Sequence, residues 1–131
     1  MVTNTSPVVL VIDDDRDLAK LVEMLLQKIN VKSVLMFNGI AALDWLSQPE
    51  RLDMVILDMM LPDMDGLEVL RRIRSHPELD GVPILVLSAK ADPNTIRFSL
   101  DNGADGYITK PYLSNSLIAR VQTLLDSGRT V

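Results

Sequence analysis

Short apolar runs alternate with helical patterns along nearly the whole chain, and that alternation constrains the fold more than any other feature. PVVLVIDDD (Pro7–Asp15) is a β-branched apolar run that ends abruptly in acid, the mark of a strand buried on both faces. Leu18, Leu21, Val22, Leu25 and Ile29 follow at helical spacing, which predicts a helix over roughly 16–29. VKSVLMF (Val31–Phe37) predicts a second strand. Gly39 to Ser47 predicts a short helix with Ile40, Leu43 and Leu46 on one face. DMVILDMM (Asp53–Met60) is a third strand. It is followed by a helix from Gly66 to about His76, with Leu67, Leu70 and Ile73 inward and Arg71, Arg72 and Arg74 outward. VPILVLSA (Val82–Ala89) is a fourth strand. Asp92 caps a fourth helix with Pro93 at its first position and a thin apolar face of Ile96 and Leu100. GYITKP (Gly106–Pro111) is a fifth strand, and Leu113, Leu117, Ile118, Val121, Leu124 and Leu125 mark a last helix ending near Asp126. Strict βα alternation predicts an α/β fold: a doubly wound five-stranded parallel sheet with right-handed crossovers and helices on both faces.

The remaining numbers exclude several classes. A chain of 131 residues accommodates one domain, and the elements above occupy 7–126, so no output domain is expected in it. No run approaches the roughly 18 apolar residues that cross a bilayer, and MVTNTSP lacks a signal-peptide pattern, so no membrane association is expected. Cysteine is absent, which excludes disulfides and thiolate metal sites and fits a reducing, cytoplasmic setting. A formal net charge of −5 argues against direct nucleic-acid binding by this chain, because phosphate contacts need clustered cations.

Polar residues fall selectively where the strands end. Open α/β sheets bind ligands beyond the carboxyl ends of their strands. Strand one ends in Asp13, Asp14 and Asp15, strand three in Asp58, strand four in Ser88 and strand five in Lys110, while strand two ends in nothing comparable. If the order is 2-1-3-4-5, the acids of strands one and three meet in one pocket flanked by Ser88 and Lys110. Clustered carboxylates repel one another unless a cation compensates. All-oxygen ligation suits a hard ion such as Mg²⁺ or Mn²⁺. One carboxylate of such a site can act as a nucleophile toward phosphorus, with lysine and a hydroxyl meeting the phosphoryl oxygens. Taken singly, each residue has an ordinary explanation: Asp15, Asp63 or Asp65 as a cap or turn residue, Ser88 as a strand residue, Lys110 before Pro111 as a turn. Their joint placement after strands one, three, four and five is what points to phosphoryl transfer.

VVLVIDDD, VILDMMLPDMDG, PILVLSAK and GADGYITKPY together resemble the motifs of response-regulator receiver domains of two-component signalling, over roughly residues 7–126. The resemblance implies the 2-1-3-4-5 order and a flavodoxin-like three-layer sandwich. It implies Asp58 as phosphoacceptor and Asp13, Asp14, Asp58 and the Met60 backbone carbonyl as Mg²⁺ ligands. Ser88 would bond the phosphoryl group, Ala89 leave it room, Lys90 tune its loss, Lys110 neutralise it, and Tyr107 act as an aromatic switch residue. A cis peptide between Lys110 and Pro111 is also implied. Implied partners are a sensor histidine kinase or histidine phosphotransfer protein as donor, and a downstream protein or fused output domain as target. The output is implied to pass through the face formed by the fourth helix, fifth strand and fifth helix, with the chain a monomer or a phosphorylation-dependent dimer. Gly106 stands where winged-helix regulators often carry an acid associated with their dimer contacts.

Two rival readings remain open in the sequence. An aspartyl-nucleophile phosphohydrolase usually carries a second acid two residues after its nucleophile, where this chain has Met60. A phosphorylation-independent interaction module would have no need of the complete polar set. The sole histidine, His76, precedes Pro77 at a helix end and reads as a surface residue, and Trp45 as a packing residue. Core filling accounts for most of the cluster Met54, Met59, Met60 and Met64.

Overall fold

The computed structural model describes residues 6–48 and 50–129; residues 1–5, where the leader pattern was sought, lie outside this range. Five strands, β1 (Val8–Ile12), β2 (Lys32–Met36), β3 (Met54–Leu57), β4 (Ile84–Ser88) and β5 (Gly106–Thr109), form one parallel sheet in the order β2-β1-β3-β4-β5. Helices α1 (Arg16–Gln27), α2 (Gly39–Leu46), α3 (Gly66–Arg74), α4 (Pro93–Asp101) and α5 (Ser114–Ser127) fill the crossovers, and a 3₁₀ turn at Pro77–Leu79 follows α3.

Alternation along each strand sorts the core into two layers. Val9, Val11, Met54, Ile56, Leu85 and Leu87 pack with Ala19, Val22, Leu25 and Leu26 of α1 and Leu117, Val121 and Leu124 of α5. Leu10, Ile12, Val55, Leu57, Ile84 and Val86 pack on the other face with Ala42 of α2 and Val69, Leu70 and Ile73 of α3. Central strands buried on both faces explain why their sequences read as continuous apolar runs. Truncating a leucine, isoleucine or methionine of these layers to alanine costs about 2–5 kcal/mol. Among the described residues, no helix is long and apolar enough to cross a membrane.

The helix boundaries follow from caps. Asp15 accepts hydrogen bonds from the amides of Asp17 and Leu18, Asp65 from that of Leu67, and Asp92 from the amide and hydroxyl of Thr95. The third helix ends at Arg74 rather than near His76, since Pro77 lacks the amide to continue it and opens the 3₁₀ turn instead.

Several face assignments need correction. Leu21, Ile40, Leu100 and Leu113 are exposed, while Ala19 and Leu26 complete the buried face of α1. Spacing gives Leu21, Ile40 and Leu100 a side of their helices, but the width of the contact decides which flank is covered, and Leu113 stands just before the first turn of α5. α4 is the extreme case: Ser99 is its buried residue, and Ile96 is only half-covered. Arg74 is not outward; its side chain is 11% exposed and pairs with Asp105 just before β5. Of the clustered methionines, Met54 and Met59 are core residues and Met60 is exposed. His76 is exposed, and Trp45 packs at the edge of the second core layer.

Candidate functional site

The β1–β3 register decides where the acids meet. Ile12 pairs with Leu57, so Asp13 and Asp58 leave their strands side by side, and the Asp58 amide donates to the Ile12 carbonyl. Asp13 is 3% exposed and Asp58 6%. Asp14, one residue on, is exposed. One carboxylate oxygen from each of Asp13, Asp14 and Asp58 lies within 4.8 Å of the others. Three hard oxygen donors at this spacing form a set that could hold a divalent cation such as Mg²⁺, with room left for water or a phosphoryl oxygen.

Lys110 enters from β5. Its Nζ donates to Asp13 Oδ2 at 2.8 Å and to Asp58 Oδ2 at 3.0 Å. The remaining oxygens are steadied by main chain: Asp13 Oδ1 accepts from the Asp15 amide, and Asp58 Oδ1 from the Met60 amide. One ammonium against three carboxylates leaves the cluster with an excess of negative charge. Burial pushes the Asp13 carboxyl above its usual pKa, with Asp58 adding to the effect and Lys110 opposing it. Burial pulls the Lys110 ammonium down, but its bonds to Asp13 and Asp58 outweigh this and hold it above its usual value.

Ser88 is fully buried at the end of β4, opposite Thr109. Its Oγ accepts from the Lys90 amide, and its carbonyl accepts from the Lys110 amide, so the ends of β4 and β5 are tied. The Lys110–Pro111 peptide is cis. Ala89 and Lys90 are exposed at the start of the following loop. Tyr107 is half-buried, its hydroxyl donates to the Lys90 carbonyl at 2.6 Å, and burial raises its pKa.

The expected site residues are thus distributed unevenly. Asp13, Asp14, Asp58 and Lys110 form the cluster itself. Met60 touches Asp58 through its amide, Ser88 lies at the end of β4, and Tyr107 reaches the β4–α4 loop through Lys90. Asp15 and Asp65 are helix caps, as their ordinary reading had it. Asp63 is different: it caps not its own helix but α2, accepting from the amides of Gly39 and Ile40 at 2.8 Å each. Sequence reasoning also missed the stacking of the Arg16 guanidinium on the Phe37 ring at 4.0 Å, and a buried cluster of Arg74, Asp105 and Arg129. A basic residue beside an aromatic partner 21 positions away leaves no local pattern to find.

Comparison with known proteins gives this geometry its context. The family model for the response regulator receiver domain matches residues 9–122. The DNA-binding response regulator MtrA of Mycobacterium tuberculosis is 38% identical over 117 residues, covering 89% of this chain and 50% of that protein. The chain therefore spans about half the length of the first curated relatives it matches. The receiver domain of Francisella response regulator 1452 superposes with a TM-score of 0.84 at 30% identity, covering 92% of this chain and 98% of that one. The chemotaxis response regulator CheY4 of Vibrio cholerae gives 0.84 at 28% identity, covering 92% and 99%. With the family model spanning most of the chain and the sheet order shared with these relatives, the protein belongs to the response regulator receiver domain family of two-component signalling.

Proposed function

We propose that Asp58 accepts a phosphoryl group from a phosphohistidine on a partner kinase or histidine phosphotransfer protein, within a receiver unit spanning residues 7–126. The observation that carries this reading is the buried Asp58 carboxylate, sharing the Lys110 ammonium with Asp13 and lying within 4.8 Å of Asp13 and Asp14 oxygens. An Asp58 oxygen attacks phosphorus in line, the P–N bond to the donor imidazole breaks, and an aspartyl phosphate remains. Lys110, already 3.0 Å from Asp58, swings its ammonium to a phosphoryl oxygen. The Ser88 hydroxyl accepts from the Lys90 amide, which leaves its own proton free to donate to another. Asp13, Asp14, Asp58 and the Met60 carbonyl would hold Mg²⁺ or Mn²⁺, which neutralises charge on the phosphoryl oxygens when bound. The exposed Ala89 and Lys90 border the approach to Ser88, Ala89 leaving the phosphoryl group room and Lys90 tuning its loss.

Phosphorylation would shift a conformational equilibrium at α4, β5 and α5. Two features support this. α4 has little buried surface, and Tyr107 links β5 to the loop that follows Ser88. Regions with few buried contacts move at low cost. The chain would act as a phosphoacceptor switch in the cytoplasm, assisting its own phosphorylation and dephosphorylation. Its target is a downstream protein or a fused output domain, reached as a monomer or a phosphorylation-dependent dimer.

The test is incubation with Mg²⁺ and acetyl phosphate, followed by intact mass measurement. One phosphoryl group should be added, and Asp58→Ala should abolish the addition. Labelling that survives Asp58→Ala and disappears in Asp13→Ala would place the acceptor elsewhere. Sustained turnover of a phosphate monoester would favour a phosphohydrolase.

A further inference from the structure

The loop between β3 and α3 begins at Asp58 and carries Met60. Its base is closed: the Gly66 amide donates to the Met59 carbonyl at 3.0 Å, and Met60 and Asp65 pair as a short antiparallel bridge. Gly66 is needed there, because a Cβ would collide with the Met59 backbone. The tip has a different attachment. Asp63 Oδ1 and Oδ2 each take one amide of the first turn of α2, Gly39 and Ile40. Met64 packs so closely on Gly39 that a Cβ at that position would lie 2.5 Å from its Cγ. A carboxylate that binds two amides with its two oxygens is fixed in orientation as well as position. Asn38, by contrast, caps the same turn from the chain of α2 itself, accepting from the Ala41 amide at 2.8 Å.

We infer that Asp63 is a positioning residue for the metal site: by clamping the tip of the β3–α3 loop to α2, it holds the Met60 main chain in place beside the Asp13, Asp14 and Asp58 carboxylates. This rests on the proposed reading of Asp58 and its cation. Met60 is otherwise anchored by its amide to Asp58 and by the bridge to Asp65, both on the same loop or its stem. Asp63 supplies the hydrogen-bonded connection from the loop tip to a different element of the fold, beside the packing of Met64 on Gly39. Partners that orient a metal ligand typically contribute 10–100-fold to metal affinity.

The two capping residues separate this role from simple helix capping. Asp63→Ala and Asn38→Ala are compared in the full chain in three measurements: thermal melting, the dissociation constant for Mn²⁺ by electron paramagnetic resonance, and the rate of labelling by acetyl phosphate against Mg²⁺ concentration. High salt screens the loss of one surface charge. Both variants should melt earlier. Asp63→Ala alone should weaken Mn²⁺ binding, by about tenfold, and raise the half-saturating Mg²⁺ while retaining the maximal labelling rate. Asp63→Asn, which keeps one acceptor oxygen, should lie between and serves if the alanine variant does not fold. A Mn²⁺ dissociation constant within about twofold of wild type, or an equal shift in Asn38→Ala, would reduce Asp63 to a cap and overturn the inference, against the tenfold typical of orienting partners. If the wild-type chain binds no Mn²⁺ and takes no phosphoryl group, the reading of Asp58 falls and this inference with it.

Discussion

Two buried clusters of charge stand at opposite ends of the sheet, and they are built on opposite principles. Beyond the carboxyl ends of β1, β3 and β5, the buried Asp13 and Asp58 carboxylates share the Lys110 ammonium, with the exposed Asp14 carboxylate beside them. Before the amino ends of β4 and β5, one carboxylate is shared by two guanidinium groups. Asp105 Oδ2 accepts from Arg74 Nη2 at 2.9 Å and from the Ile84 amide at 2.9 Å, while Asp105 Oδ1 accepts from Arg129 Nε at 3.1 Å. Arg74 also donates to the carbonyls of Leu79 and Gly103, and Arg129 to that of Asp80. The lower cluster is closed, with its cations also binding main-chain carbonyls at the end of the 3₁₀ turn and just after α4. The upper one has acceptor capacity and negative charge left over. A buried charge group that is complete holds structure together; one left with excess negative charge at a strand end has the donors that the proposed cation and phosphoryl chemistry would need.

Removing a carboxylate should therefore have opposite consequences at the two ends. Asp105→Ala strands two largely buried arginines and one buried amide, and should cost about 3–5 kcal/mol of stability in denaturant unfolding. Lys110→Ala is the corresponding break above. It should cost about 1–3 kcal/mol without added metal, and millimolar Mg²⁺ should recover part of that loss, because a bound cation replaces the missing charge. No such recovery should occur in Asp105→Ala; if Mg²⁺ rescues both equally, the contrast fails. Asp58→Asn should leave metal-free stability equal to or above wild type, since it relieves repulsion rather than breaking a closed group, while reducing the stabilisation Mg²⁺ confers. A thermal shift series with and without Mg²⁺ reads these outcomes.

A third acid offers the smallest and most specific test. The amides of Gly39 and Ile40 hold the exposed Asp63 carboxyl below its ordinary pKa of 3.8. A folded-state pKa below the unfolded value means that the ionised form stabilises the fold. That contribution is complete above about pH 4 and is lost as pH falls through the depressed value. The stability difference between wild type and Asp63→Asn should thus be constant near neutrality and shrink below pH 4. A difference that persists unchanged at pH 2–3 would show that charge is not what the two amides recognise.

Much of this was legible in the sequence, for reasons that can be named residue by residue. Runs such as VVLVI and ILVL are apolar throughout because both faces of a central parallel strand are covered, so strands could be told from the amphipathic helices between them. Asp92 before Pro93 marked the start of α4 through local chemistry alone. The polar strand ends were visible because ligand sites in such sheets gather at one edge. That Leu21 and Leu100 are exposed was not legible, because periodicity gives direction around a helix but not how far its neighbours reach, and Leu113 is exposed because it precedes the first turn of α5. Arg74 was misread because its partner, Asp105, lies 31 residues away.

The sequence by itself determined which segments are strands, which are helices, that Asp92 caps the fourth of them and which strand ends carry acid, hydroxyl or ammonium. These are consequences of dihedral preference, spacing and neighbours within a few residues. Only the tertiary structure decided which charges share a partner. Lys110 meets Asp13 across 97 residues and Asp58 across 52, and Asp63 caps the start of α2, 24 residues earlier, rather than the α3 that follows it. Such contacts depend on sheet register and on how one loop lies against the next element. A shift of one residue in the β1–β3 register would part Asp13 from Asp58 without altering a single local pattern.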